Sequence, residues 1–261
     1  MPHSHIVSVI NSFDPISLSK MDQVKLMNRI DTKHVLSYAV LLKVLKEVTD
    51  SYYILEMERL RQFPYVSLYF DTLDDMMYKS HHNGKLNRHK IRLRKYVSSN
   101  HTFLEIKEKV KGIRTQKNRM LVNDLLSNFE DSTKEFIRQF SPYNPENLVS
   151  KLFTNFNRIT LVSKQLNERV TIDTELQFYL KEDTIYTLNK CSIIELKRDG
   201  ASVNSKLSEV LSYFGVHPTG MSKYCLGRAF VEEHLKKNNF KRKIRTLNKI
   251  ENGEFYYRNL K

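Results

Sequence analysis

Lys90-Ile91-Arg92-Leu93-Arg94 is the stretch that decides the fold. Side chains alternate across a β-strand, so Arg92 and Arg94 share one face and Ile91 and Leu93 the other. The division recurs in Leu104-Glu105-Ile106-Lys107, Arg158-Ile159-Thr160-Leu161, Arg169-Val170-Thr171-Ile172-Asp173 and Ile194-Glu195-Leu196-Lys197, and Arg29, Asp31 and Lys33 follow the same spacing. One face of every strand is apolar. The other carries full charges of both signs, with arginine unusually frequent.

An ordinary antiparallel sheet, core on one side and water on the other, also alternates. Two features argue for something more enclosed. A solvated β-face favours Thr, Ser and Gln, whereas these faces are dominated by charge. The chain also supplies at least five amphipathic helices whose apolar stripes need a surface, and the apolar strand faces are the one available. Helices outside imply charges inside, which a closed antiparallel eight-stranded barrel with a charged lumen satisfies while removing the sheet edges. The predicted fold class is therefore α+β, with helices packed around a closed barrel.

The spacing predicts helices over Ser19–Met27, Ser37–Val48, Asn123–Gln139, about Glu146–Phe153, Val203–Tyr213 and Ser222–Lys237. Strands are predicted at Arg29–Val35, Tyr52–Leu55, Tyr65–Asp71, Lys90–Val97, Thr102–Val110, Arg114–Val122, Arg158–Ser163, Arg169–Phe178, Thr184–Leu188 and Ser192–Arg198. No linker divides the chain, so residues 1–261 read as one domain: a barrel over 29–198, C-terminal helices over 203–237 and a basic tail over 238–261. The run Lys236–Arg245 reads as solvated. His81 and His82 read as a loop pair beside the Asn83-Gly84 turn signal, and His3 and His5 as part of a frayed end. Asp71 either faces inwards or closes its strand through a turn bond.

The 261 residues carry 43 Lys+Arg against 29 Asp+Glu, a formal net charge of +14, which implies a polyanionic partner. Two cysteines, Cys191 and Cys225, exclude a disulfide scaffold and a four-thiolate zinc site, suit a reducing compartment, and read as small buried hydrophobes. No stretch approaches the ~20 apolar residues of a transmembrane helix, and the N-terminus lacks the marks of a secretory signal. The expected location is cytoplasmic, with room for a separate membrane protein partner. No Gly-x4-Gly-Lys-Ser/Thr sequence occurs, so a P-loop is excluded as a phosphate cradle.

Inside a barrel, the candidate inward cations Lys33, Arg92, Arg94, Lys107, Arg158, Arg169 and Lys197 outnumber the carboxylates Asp31, Glu105, Asp173 and Glu195. A buried charge without a partner is costly. The missing countercharge has to be a compact polyanion with tetrahedral groups that match arginine's fork, a triphosphate or a phosphate chain. The carboxylates are then oxygen ligands for Mg²⁺ or Mn²⁺.

The series Arg29-x-Asp31-x-Lys33, Tyr69-Phe70-Asp71-Thr72, Lys90–Arg94, Phe103–Lys107, Lys117-x-Arg119, Arg158, Arg169, Ile194–Lys197 and Ser222-Lys223-Tyr224 resembles the vacuolar transporter chaperone (VTC) domain. That domain belongs to the triphosphate tunnel metalloenzymes, with the CYTH proteins, and the resemblance spans roughly residues 20 to 230. It implies an eight-stranded tunnel that binds triphosphate and, in the polymerase branch, adds the γ-phosphoryl group of ATP to a growing polyphosphate. By position it makes Lys33, Arg92, Arg94, Lys107, Lys117, Arg119, Arg158, Arg169, Lys197 and Lys223 phosphate binders, with Glu195 and Glu105 as metal ligands. Asp31 departs from the glutamate-rich first motif of hydrolytic relatives, and Gly220 stands where a further lysine is often found.

Phosphoryl transfer needs positioning and charge neutralisation above all. A terminal phosphate oxygen is already anionic, whereas a water nucleophile gains from a carboxylate base. The cation surplus tilts the reading towards metal-dependent polyphosphate synthesis. A triphosphatase of the same fold is the alternative within enzymes, for which Glu105 or Asp173 serves a water. The others are a non-catalytic polyphosphate sensor and a nucleic-acid-binding protein; the last needs an external basic stripe, so no nucleic acid is expected.

Overall fold

The computed structural model describes residues 2–24, 29–111, 114–125, 128–180, 185–200 and 205–260. The chain opens with helix α1 (Pro2–Asn11), strand β1 (Asp14–Ile16), helix α2 (Leu18–Asp22), strand β2 (Arg29–Ser37) and helix α3 (Tyr38–Val48). Strands β3 (Tyr52–Leu55) and β4 (Phe63–Thr72) follow, then helix α4 (Met76–His82) and the run β5 (Arg88–Tyr96), β6 (His101–Val110) and β7 (Arg114–Val122). Helix α5 (Asp131–Phe140) leads to β8 (Leu148–Ser163), β9 (Glu168–Tyr179), β10 (Ile185–Leu188) and β11 (Cys191–Asp199). Helices α6 (Lys206–Tyr213), α7 (Lys223–Val231) and α8 (Lys241–Asn252) close the chain.

Eight strands are hydrogen-bonded in the order β2-β11-β9-β8-β4-β5-β6-β7, all antiparallel, with β1, β3 and β10 beside this path. Register brings the charged positions level with one another. Arg94 pairs with Ser67, Arg92 with Tyr69 and Glu105, Lys90 with Lys107, and Lys107 with Lys117. At the other end of the path Arg158 pairs with Asp173, and Glu195 with Thr171 and Lys33. The antiparallel α+β architecture is thus as predicted. Closure is not made by hydrogen bonds: among the described residues none joins β2 to β7. The free edge of β2 is instead partly covered by the segment before α7, where the Thr219 N–H donates to the Lys33 carbonyl at 2.6 Å.

Ile91, Leu93, Leu104, Ile106, Ile159, Leu161, Val170, Ile172, Ile194 and Leu196 are buried in one apolar core. α3 covers it with Val40, Leu41, Val44, Leu45 and Val48, the stripe expected from helical periodicity. The Ser37 side chain caps α3 by accepting from the Val40 N–H. α7 lies against β8 and β9. It comes so close that a Cβ on Gly227 would stand 2.5 Å from Phe178 Cδ1 and 2.7 Å from Leu152 Cδ2. Among the described residues no helix is long and apolar enough to cross a membrane.

Four local expectations are corrected. The N-terminal segment with His5 is not frayed but forms α1, which buries Ile6, Val9 and Ile10. Residues 148–153, expected as helix, begin the 16-residue strand β8, because Leu148 and Leu152 pack inwards while the backbone pairs with β4. The basic run is not a solvated tail: Phe240, Leu247 and Ile250 are buried, so 241–252 folds as α8 against β2 and β11. His81 and His82 lie in α4 rather than in a loop, with His82 buried and its carbonyl accepting from Asn239 Nδ2 at 2.7 Å. Lys25–Met27, Leu126 and Ser127, Thr184, and Val203 and Asn204, assigned to elements from sequence, lie outside the described residues.

Candidate functional site

The charged faces of the strands converge, and their carboxylates are clamped by cations. Glu105 is fully buried; its Oε2 accepts from Arg92 Nε at 2.8 Å and Nη2 at 2.5 Å, and its Oε1 pairs with Lys117. Arg92 Nη1 also donates to the Tyr69 hydroxyl at 2.8 Å. Asp173 accepts from Arg158 Nε at 2.6 Å and Nη2 at 2.8 Å, and from Lys223. Glu195 Oε1 accepts from Lys33 at 2.5 Å, and its Oε2 is 3.8 Å from Lys197.

Burial alone would push these carboxyls up. The cations outweigh it: Arg92, Arg94 and Lys117 hold Glu105 well below the carboxylate range, Arg158 and Lys223 take Asp173 to about 2, and Lys197 and Lys33 depress Glu195. All three are ionised at neutral pH.

Positive charge is left over. Arg94 is buried, donates Nε to Ser67 Oγ at 3.2 Å, lies over the rings of Tyr65 and Phe156, and has no carboxylate within 4.0 Å among the described residues. Lys90 and Lys107 likewise lack a carboxylate partner there. Burial lowers Lys90 and Arg94, and the guanidinium of Arg92 lowers Lys107 well below its ordinary value, with burial adding to it. These cations lie close enough to depress one another in a desolvated space, with no carboxylate within 4.0 Å among the described residues to offset them.

Most of the residues expected from sequence meet here: Lys33, Arg92, Arg94, Glu105, Lys107, Lys117, Arg158, Glu195, Lys197 and Lys223. Two stand apart. Arg119 is exposed, with its guanidinium over the Phe103 ring, and Arg169 reaches the α2 end, donating to the Met21 carbonyl at 2.7 Å. Sequence reasoning passed over Lys90, Ser67 and Tyr69; Lys90 was within reach, because it shares parity with Arg92.

Behind Lys223, α7 is anchored by a buried network. Arg228, fully buried, donates Nη2 to Glu232 at 2.6 Å, stands 2.8 Å from Asp75 and reaches Asp71 at 3.4 Å. The Tyr224 hydroxyl donates to Asp71, whose Oδ1 accepts from the N–H groups of Thr72 at 2.8 Å and Met77 at 2.9 Å. Of the two roles open to Asp71, the turn bond is the one observed.

Among the described residues no group of three or more His, Cys, Asp and Glu gathers as a metal cage. Mg²⁺ commonly needs only one or two carboxylates when phosphate oxygens complete its shell. Glu195 fits an ion that arrives with phosphate, since among the described residues its Oε2 has only a 3.8 Å partner in Lys197. Glu105 fits poorly, because Arg92 and Lys117 cover both its oxygens.

The VTC domain family is matched over residues 28–232, most of the chain and all eight strands of the path. The chain belongs to the VTC domain family. The Hippeastrum protein HpAC1, for which a dominant triphosphatase activity is described, has a similar structure, at TM-score 0.51 and 13% identity over 77% of this chain and 96% of that one. Two weaker likenesses are a Bacillus halodurans protein, bh2851 (TM-score 0.46, 13% identity, 82% and 100% covered), and PH1819 of Pyrococcus horikoshii (0.45, 14%, 79% and 99%). No curated protein matches. At these identities the likeness is one of fold, and in this VTC domain the fold sets out the paired and unpaired cations described above.

Proposed function

We propose that this VTC domain is a metal-dependent polyphosphate polymerase that moves the γ-phosphoryl group of ATP onto the end of a phosphate chain, with the strand path wrapped as a tunnel around it. The observation that carries this reading is the imbalance of charge: three carboxylates clamped by cations, with Arg94, Lys90 and Lys107 left over. The leftover cations bind polyphosphate. Held so far below neutrality, Glu105, Asp173 and Glu195 are poor general bases for a water. A terminal phosphate oxygen needs no base.

In the step, that oxygen attacks the γ-phosphorus, a new P–O bond forms, and the bond from the γ-phosphorus to the β,γ-bridging oxygen breaks as ADP leaves with the electron pair. Arg92 and Arg94 neutralise the charge spread over the equatorial oxygens, and Arg158 and Lys223 hold the neighbouring phosphate. A divalent ion held by Glu195 and phosphate, Mn²⁺ or Mg²⁺, supplies further charge neutralisation when bound. A cytoplasmic location, where ATP is at hand, suits this reading.

The competing outcome is hydrolysis of triphosphate, the activity described for the Hippeastrum protein. Purified protein with ATP and Mn²⁺ separates the two: acid-insoluble polymer supports synthesis, and orthophosphate release without polymer overturns it.

A further inference from the structure

A cavity of about 370 Å³ opens where β2, β5, β6 and β7 meet the segment before α7 and the first turn of α8, within the range of about 300–1,000 Å³ usual for small-molecule sites. The sheet contributes Lys33, Arg88, Lys90, Lys107 and Lys109 to its wall against one carboxylate, Asp31, and Lys243 comes from α8. His81, on α4, is flanked by Lys90 and Arg88, and burial together with those cations brings its imidazole down to about 3, so it adds no charge of its own. Two buried polar atoms here, His81 Nε2 and Arg88 Nε, have no hydrogen-bond partner among the described residues. Buried polar groups are normally satisfied, and the Arg88 Nε–H left over amid lysines is suited to an anionic oxygen.

Lys243 stands out. It lies beyond residue 232, where the family match ends. It is one helical turn from Leu247, so the periodicity that buries Leu247 and Ile250 turns Lys243 inwards, whereas Lys241, Arg242, Arg245 and Lys249 are exposed. Its Nζ is 3.7 Å from the point where a Cβ on Gly220 would stand. The space a side chain at position 220 would enter is thus served by the C-terminal helix.

We propose that α8 is part of the phosphate site: Lys243, with Arg88, Lys90 and Lys109, binds the portion of a phosphate chain that extends beyond a triphosphate unit. The inference rests on the phosphate-chain reading of the preceding section and adds to it a chain-length preference supplied from outside the family's matched segment.

The test is calorimetric binding of tripolyphosphate and of a longer polyphosphate of defined length to the full chain. Lys243→Gln leaves tripolyphosphate affinity near that of wild type and weakens the longer chain about tenfold, the scale of one charge-assisted hydrogen bond. Lys243→Arg retains the long-chain affinity. Arg245→Gln, on the exposed side of α8, changes neither. Equal long-chain affinity in wild type and Lys243→Gln overturns the inference, as does an equal loss in Arg245→Gln, which would indicate diffuse surface charge. Wild-type protein that binds neither anion overturns the phosphate reading itself, and this inference with it.

Discussion

Arg158 grips Asp173 across adjacent strands with two parallel hydrogen bonds, Nε to Oδ1 at 2.6 Å and Nη2 to Oδ2 at 2.8 Å. Lys223 shares the same carboxylate. Asp173 is therefore the internal counterion of two cations that a phosphate would otherwise neutralise. Removing one partner of a buried ion pair costs about 3–5 kcal/mol, so Asp173→Asn lowers the melting temperature of the ligand-free protein by several degrees. Tripolyphosphate recovers more of that loss than it adds to wild type, which a melting series with and without the anion measures.

Arg94 presents the opposite case, a buried guanidinium with a serine and two aromatic faces but no carboxylate among the described residues. Its desolvation is uncompensated until an anion arrives. Arg94→Met accordingly raises the melting temperature of the free protein by a few degrees while weakening tripolyphosphate at least about tenfold. Lower stability with unchanged binding would contradict this.

Lys107, lowered well below its ordinary 10.5 by Arg92 and by burial, binds fewer protons in the folded protein than in the unfolded chain. Its contribution to stability thus rises with pH between its folded value and 10.5. A bound polyphosphate favours the ammonium and pulls the value back up, so binding takes up protons in that window and weakens as pH climbs through it. Calorimetry in buffers of different ionisation enthalpy should show uptake; release of protons would count against Lys107 facing the anion.

Arg228 neutralises Asp71, Asp75 and Glu232 at once. Arg228→Ala strips the buried Asp71 and Glu232 of their cation, with Lys151 remaining on Asp75, and costs about 3–5 kcal/mol, seen as a lower denaturant midpoint. Arg228→Lys restores less than half of it, because one ammonium cannot reproduce the fork of a guanidinium. Full rescue by lysine would refute the argument.

The strand faces were legible because a period of two needs no tertiary information: Arg92, Arg94, Glu105, Lys107 and Glu195 fell on one side by parity alone. Other features depended on the partner across the gap. Arg169 has the right parity but lies at the α2 end, and only register shows that. Residues 148–153 carry apolar spacing that suits a short helix as well as a strand, and pairing with β4 decided between them. Basic composition hid α8, whose few apolar residues, Ile244, Leu247 and Ile250, occur at helical spacing within a run of lysines and arginines. The Asn83-Gly84 signal correctly marked a chain reversal, with Gly84 at φ +68°, but α4 runs up to it and holds both histidines in place.

Gly227 has neither charge nor hydroxyl, yet it regulates a distance. Lys223 sits one helical turn before it, and the length of a lysine is fixed, so its ammonium meets Asp173 only if α7 rests hard against Phe178 and Leu152. One added methyl group would act as a shim, lifting the helix and withdrawing the cation from the passage. The room that the proposed phosphate chain would have beside Lys223 is in this sense machined from outside, by a residue that never faces it.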